Sequence, residues 1–456
     1  MGRPTPRIAA LALLMAVPAA APLPSTAHLP TTAAFEEPGE GRDEAVSDTH
    51  RPTVVAAFAR ESYRPGQPAR LVITDKAPDV TMQIFRAGTD PAWVRASDVM
   101  TGTSVNDPTD LGAIKGRRTV RLTMGDWPSG VYFAKLTSGG RIGYAPFVLA
   151  PRVLGTQPVG VVVPTQTWQA YNFRDSNRDG RGDTWYAGWH QRTARLARPF
   201  LNRGTPPHFK SNDLPFLQWA VATGHNADYL ADSDLRGVKN GSRLRAAYKL
   251  VIFPSHHEYV TTHEYNVIVD YRNHGGRLIF MSANNFFWRI TRRGNVMTRI
   301  KRWRDLGRPE AALIGIEYFH NDRGQHRAPW VVEKSSAGDW LLAGTGLAPG
   351  SQMGSGGIEA DGTTVASPRN LTVLAEIPNL YGPGLTAKMT YYETKRGAQV
   401  FAAGAFGFAG ATNDRRVSRL LANVWARMTG QPAAEKALPR APASLRRRYR
   451  LATGTS

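Results

Sequence analysis

The sequence predicts an α/β protein, a doubly wound and mainly parallel sheet preceded by an immunoglobulin-like antiparallel β-sandwich. Three observations predict it. Residues 159–164 (VGVVVP), 248–253 (YKLVIF) and 277–281 (RLIFM) are unbroken apolar, largely β-branched runs, as in strands buried on both faces. Helical spacing lies between them, at residues 214–223 and 261–274, and strand–helix–strand alternation implies right-handed βαβ units. Upstream, residues 52–150 carry short alternating runs punctuated by turn residues, the pattern of a sandwich.

Taken in order, residues 1–27 read as a secretory signal. Arg3 and Arg7 give a positive start, residues 8–22 are apolar, and small residues around Ala20, Ala21 and Ala27 offer cleavage points. Pro18 interrupts the apolar run, which is shorter than the roughly 20 residues of a membrane span. Residues 28–51 are rich in Pro, Thr, Glu and Gly and read as a disordered linker. The sandwich expected over 52–150 has turns at Arg64-Pro65-Gly66, Trp127-Pro128-Ser129-Gly130 and Gly139-Gly140. In its late strand Tyr132 and Ala134 should alternate against Val131 and Phe133. No charged cluster there suggests chemistry.

The α/β region is expected over 157–430. Gly224 should cap the helix at 214–223. Thr261 and Glu264 have capping-box spacing, and Gly275-Gly276 closes that helix. A short strand is expected at 225–230. Between about 300 and 400 Gly-rich turns interrupt short apolar runs, which reads as a β-rich insertion or lid. Regular grammar returns with GAQVFAAGAF and a helix at 414–429. Residues 431–456 form a basic tail containing Arg446, Arg447 and Arg448.

Composition narrows the function. The chain has 456 residues, 42% of them hydrophobic, enough for two cores. It has no cysteine, which excludes disulfides, a cysteine nucleophile and thiolate metal sites. The formal charge of +21 suits an anionic surface or a cell-wall polymer. The arginines are scattered and no nucleic-acid motif accompanies them, so nucleic acid is not an expected partner.

Doubly wound sheets bind ligands outside the carboxyl ends of their strands. Three loops there are crowded with aromatic and hydrogen-bonding residues: 165–172 (TQTWQAYN), 254–259 (PSHHEY) and 282–288 (SANNFFW). Ser282 lies where a nucleophile elbow would fall, but no G-x-S-x-G surrounds it. A separate signal, Asp175, Asn177, Asp179, Gly180 and Asp183, has the D-x-N-x-D-G-x-x-D spacing of a calcium loop. Its twelfth position is Tyr186 in place of a bidentate glutamate, and Arg174, Arg178 and Arg181 could neutralise it as an ordinary acidic turn.

The stretches Thr167-Trp168-Gln169-Ala170-Tyr171-Asn172, His256-His257-Glu258-Tyr259 and Asn284-Asn285-Phe286-Phe287-Trp288 resemble, in order and spacing, motifs of the N,N-dimethylformamidase large-subunit family. The resemblance covers about residues 157–430. It implies a fold similar to class I glutamine amidotransferases without their cysteine, and hydrolysis of a small substituted amide. It also implies an iron held by two tyrosines and a glutamate, a donor set suited to a hard ion. Carried over residue by residue, Tyr171 and Glu258 are iron ligands. The family's second tyrosine falls near Arg198-Pro199-Phe200, where a phenylalanine cannot ligate, so Tyr186 is the substitute. Two more departures are His257, where the family has aspartate, and Val260, where it has tryptophan. His257 is a third ligand, a general base or a spacer. Glu258, His257 and Asn284 are the catalytic candidates on this reading.

Two functions follow. One is a secreted amidase-like hydrolase of a linear C–N bond, metal-dependent through iron, with or without a small partner subunit. The other is a non-catalytic surface- or polysaccharide-binding protein that keeps the fold, motivated by Phe200, His257, Val260 and the basic charge.

Overall fold

Sandwich strands form where the sequence alternates. In the computed structural model, which describes residues 53–90, 96–188, 191–334 and 339–431, Pro68–Ile73 turns Ala69, Leu71 and Ile73 inward and its other residues outward. It pairs antiparallel with Ala56–Phe58 and Arg118–Thr123. A second sheet runs in the order Ser62–Tyr63, Arg141–Leu149, Gly130–Ser138, Ala77–Ala87 and Gly102–Ser104, with Thr109–Ile114 also on Ala77–Ala87. Between the sheets Phe58 meets the Phe147 ring edge-on at 4.7 Å, beside Tyr132, Ala134 and Leu136. The expected signal, the linker and tail residues 432–456 lie outside the described residues.

The alternation expected at Tyr132 and Ala134 against Val131 and Phe133 is present, yet all four are buried. Val131 and Phe133 belong to a second core that includes Leu217, Phe200 and the central strand residues Val161 and Val163. Both faces of that sandwich strand are therefore covered, and the described residues fall within one compact unit.

The central sheet corrects the expected fold class. It is not a doubly wound parallel sheet of the glutamine amidotransferase kind. It is an 11-stranded mixed sheet in a β-rich protein with short helices. Asp228–Ala231, Val159–Val163, Leu250–Phe253, Arg277–Phe280 and Gln399–Ala402 are parallel. Beyond them Ala387–Glu393, Thr372–Ile377, Arg327–Val332, Gln352–Gly362 and Glu317–Asn321 continue it antiparallel. The reason is connection length. A parallel pair needs a crossover of a dozen or more residues, whereas a hairpin needs only a few. Residues 394–398 and 378–386 are too short for a crossover, and Gly382, Gly384 and Gly397 take the positive φ of tight turns. The Gly-rich region between 300 and 400 is thus part of the sheet and not a lid. A further four-stranded sheet joins Thr193–Arg195, Val296–Arg302, Trp288–Arg293 and Tyr259–Thr261.

Helices pack on both faces. Val161 and Ile279 face the core containing helices Leu214–Thr223 and Arg415–Thr429. Val162 and Leu278 face the core with Thr262–Asn273. The capping box is formed: Glu264 N donates to Thr261 Oγ1 at 3.3 Å and Thr261 N to Glu264 Oε2 at 2.6 Å. Gly224 caps Leu214–Thr223 with φ of 73°. The strand expected at 225–230 starts later, at Asp228–Ala231.

Gly204 fastens the central region to the sandwich. Its φ is +90° and a Cβ there would lie 1.8 Å from the Tyr144 carbonyl oxygen, beside the 2.7 Å bond from Tyr144 N to Arg203 O. Gly204→Ala should cost about 2–4 kcal/mol, from backbone strain plus overpacking, read as a lower midpoint in urea unfolding with unchanged slope.

Candidate functional site

The three loops leave strand ends and are tied to one another by backbone. Helix Thr165–Ala170 starts one residue after Val159–Val163, and Tyr171 closes it. Residues 254–258 follow Leu250–Phe253 and lead into Tyr259–Thr261. Glu258 N donates to Thr167 Oγ1 at 3.2 Å, joining the first and second loops. Phe286 N donates to His257 O at 2.7 Å and Trp288 N to Glu258 O at 2.9 Å, joining the second and third.

These ties bring Tyr171, Tyr186 and Glu258 together. The Tyr171 hydroxyl donates to Glu258 Oε2 at 2.8 Å. Tyr186, on the turn Trp185–Ala187, reaches Oε1 at 3.5 Å and Oε2 at 3.4 Å. The two phenol rings stack 4.7 Å apart. The Tyr186 hydroxyl also bonds to that of Tyr259, to which Trp185 Nε1 donates at 3.3 Å. Burial pushes Tyr171 and Tyr259 well above the usual tyrosine range, and the Glu258 charge adds to the shift. Two phenols and a carboxylate thus converge, and burial keeps the Tyr171 phenol neutral until a cation is supplied.

His256 Nε2 lies 3.6 Å from Glu258 Oε2 and 3.4 Å from Glu359 Oε2. The ring packs against Phe406 at 4.8 Å. Burial, then the neighbouring His208 and His257, holds its pKa well below the ordinary value, so it is neutral at pH 7. His208 approaches the Tyr171 ring edge-on at 6.1 Å.

Sequence reasoning gave no role to Tyr259, His208 or Glu359, and it put His257 rather than His256 among the catalytic candidates. Tyr259 stands in the second motif, so its place beside Glu258 was available. Glu359 had no signal, because it lies on the antiparallel strand Gln352–Gly362, within the stretch expected to be an insertion.

The other expected residues divide, with the Asn284 backbone beside His256 and the His257 ring directed away from the cluster. His257 turns away from its neighbours, with Nδ1 3.1 Å from Ser255 O and its ring edge-on to Phe253 at 4.9 Å. Burial lowers its pKa to about 4. Asn284 sits at φ of 51° and donates its backbone N–H to Asp361 Oδ1 at 2.8 Å; its Oδ1 is buried with no hydrogen-bond partner among the described residues. Phe200 packs edge-on to Trp168 at 6.3 Å. Arg198 is a clamp, donating to the carbonyls of Gln169 at 3.0 Å and Asn172 at 2.6 Å.

The turn at 175–183 is organised by its own backbone. Asp175 accepts from Arg178 N at 2.6 Å and Gly180 N at 2.8 Å, Asp179 from Arg181 N at 2.9 Å, and Asp183 from Ser176 N at 3.0 Å. Asn177 Nδ2 donates to Asp179 Oδ2 at 2.9 Å. Among the described residues, no group of three or more His, Cys, Asp or Glu side chains is placed to hold a metal ion. The tyrosine-rich cluster lies outside that class of donor.

Behind the cluster, Asp213 accepts from Trp168 Nε1 at 3.1 Å and Ser255 Oγ at 2.8 Å. It thereby holds the first two loops at positions three residues from Tyr171 and Glu258. Desolvation raises its pKa to about 7 despite both donors. Its folded value is above the unfolded one of about 3.9, so its contribution to stability is complete below about pH 4 and is lost as pH rises through 7. Asp213→Asn, which does not titrate, should therefore be most destabilised relative to the parent at about pH 4 and below. It should recover by up to about 4 kcal/mol at pH 8 in urea unfolding.

Comparison with known proteins follows the same residues. The family profile described as N,N-dimethylformamidase beta subunit-like, C-terminal, matches residues 85–418, so it starts inside the sandwich. The N,N-dimethylformamidase beta subunit of Alcaligenes sp is 24% identical over 315 residues, 55% of this chain and 41% of that protein. That of Paracoccus aminophilus is 24% identical over 325 residues, 57% and 42% of the two chains. This chain thus spans about two-fifths of the length of the curated relatives it matches. Among solved structures, an uncharacterized protein from Bacillus anthracis str. Ames is 13% identical, with a TM-score of 0.17, over 23% of this chain and 87% of its own. A likeness that weak carries no argument about the fold.

Proposed function

The chain belongs to the N,N-dimethylformamidase beta subunit-like family, and we propose that it is an amide hydrolase that cleaves the linear C–N bond of a small carboxamide. The observation that carries this reading is the convergence of Tyr171 and Tyr186 hydroxyls on the Glu258 carboxylate, at 2.8 to 3.5 Å. Oxygens so spaced can share one cation, and two phenols with a carboxylate suit ferric iron. Tyr171, Tyr186 and Glu258 would hold it. When bound, such an ion would polarise the amide oxygen and lower the pKa of water.

The protein's own groups supply the rest. Hydrolysis adds water oxygen to the carbonyl carbon, breaks the C–N bond and delivers a proton to the departing amine. His256, kept neutral, accepts and returns that proton at Nε2, and the Glu359 carboxylate, 3.4 Å from the same nitrogen, steadies the imidazolium while it carries the proton. Phe406, Trp185 and Tyr259 wall the cluster with aromatic surface, which favours a substrate of few atoms. Phe200, His257 and Val260 are core residues, so the departures from the family motifs touch packing and leave the cluster whole. That weighs against the non-catalytic alternative. The leader-like first residues support an extracytoplasmic site of action, and the relatives' designation as beta subunits supports a companion subunit.

Metal content and amine release from N,N-dimethylformamide test the reading together. Purified protein should carry about one iron per chain. Glu258→Gln should lose the metal and about a thousandfold in rate. Iron-free parent protein with activity equal to the Glu258→Gln variant would sink it. A second contrast separates the adjacent histidines. His256→Gln should lower kcat by about a hundredfold with stability nearly kept. His257→Gln should lower the unfolding midpoint and leave kcat within about threefold, because its ring faces Phe253.

A further inference from the structure

At the end of the central sheet remote from the tyrosine–glutamate cluster lies a groove of about 1000 Å³. Its position follows from strand direction. Arg272 and Asn273 end the helix that precedes Arg277–Phe280, and Lys395 and Arg396 form the turn that precedes Gln399–Ala402. These parallel strands run from the groove toward the opposite edge, where the Ser282–Trp288 loop lies. Arg369 and Asn370, ahead of Thr372–Ile377, complete the groove.

Its charge is uncompensated. Among the described residues, Arg369 and Lys395 have no ion pair, and both are exposed. Arg396 reaches only the Asn273 carbonyl, at 3.4 Å. Arg272 donates to Ala312 O at 2.9 Å, the Tyr392 hydroxyl at 3.0 Å and Asn273 Oδ1 at 2.9 Å, none of them anionic. The carboxylate in the lining, Glu393, is already held by Tyr391, by Gln399 at 3.1 Å and by Arg427 at 3.3 Å. Some arginines elsewhere are paired, as Arg292 is with Glu61 at 3.0 Å and Arg304 with Glu310 at 2.9 Å. Four like charges around one concavity repel each other and concentrate anions.

We propose that this groove binds a linear phosphate polymer that carries no bases. Guanidinium forks match phosphate oxygens in pairs, and several cations in one trough suit a repeating anion better than a single one. Nucleic acid is disfavoured by the lining. Its aromatic residue, Tyr392, is 2% exposed with its hydroxyl bonded to Leu313 O, so no ring face is open for base stacking.

The test uses the full chain and long-chain inorganic polyphosphate, titrated by calorimetry at 50 and 200 mM salt. Displacing counterions at about four phosphates should weaken binding by about a hundredfold between those salts. The triple variant Arg369→Glu, Lys395→Glu, Arg396→Glu should lose at least about tenfold at 50 mM salt. The milder glutamine triple should lose affinity in the same direction, with the unfolding midpoint kept in both. Lys115→Glu, Arg117→Glu, Arg121→Glu removes three exposed cations of the sandwich and should lose less than about twofold. Equal losses in the two glutamate triples would reduce the effect to net charge and overturn the proposal. So would tighter binding of single-stranded DNA of equal charge, or no binding at 50 mM salt.

Discussion

A carboxylate taken out of water sets the terms for this protein. Glu258 is 3% exposed, and a charge at that depth is tolerated only with close partners. Tyr171 and Tyr186 supply hydroxyls, and His256 supplies a ring nitrogen nearby. Those partners come from three places in the chain, so each segment must be held to the others at hydrogen-bond precision. Backbone bonds from Phe286 and Trp288 onto His257 and Glu258, and the Asp213 bridge between Trp168 and Ser255, hold them.

The mixed sheet serves that arrangement. Its parallel half delivers three loops to one edge. Its antiparallel half returns across the same edge and brings Glu359 against His256. A purely parallel sheet would place a crossover helix where Gln352–Gly362 lies. The hairpin connections therefore do more than alter the fold class, because they provide the second carboxylate.

The sandwich is part of the same economy of packing. Val131 and Phe133 leave one face of its sheet to join the core beneath the first loop, while Tyr132 and Ala134 fill its own interior. Family similarity begins at residue 85, within a sandwich strand, and sandwich residues share a core with the central strands. By contrast, the cationic groove lies at the far end of the sheet, apart from the buried ionisable cluster.

Much was readable in the residues themselves. The buried runs at 159–163, 250–253 and 277–280 are strands, the Thr261–Glu264 capping box forms, and Gly224 ends its helix. Tyr171 and Glu258 were named by motif and Tyr186 as the substitute for the missing second tyrosine, and the three meet. These features are local: period, cap and turn chemistry act within a few residues. What the sequence could not express is pairing direction and side-chain facing. Whether 372–393 forms hairpins within the main sheet, whether His256 or His257 faces the cluster, and whether Glu359 reaches it all depend on contacts between segments tens of residues apart. Burial of one shared core selects among those contacts, and only the folded chain makes that selection.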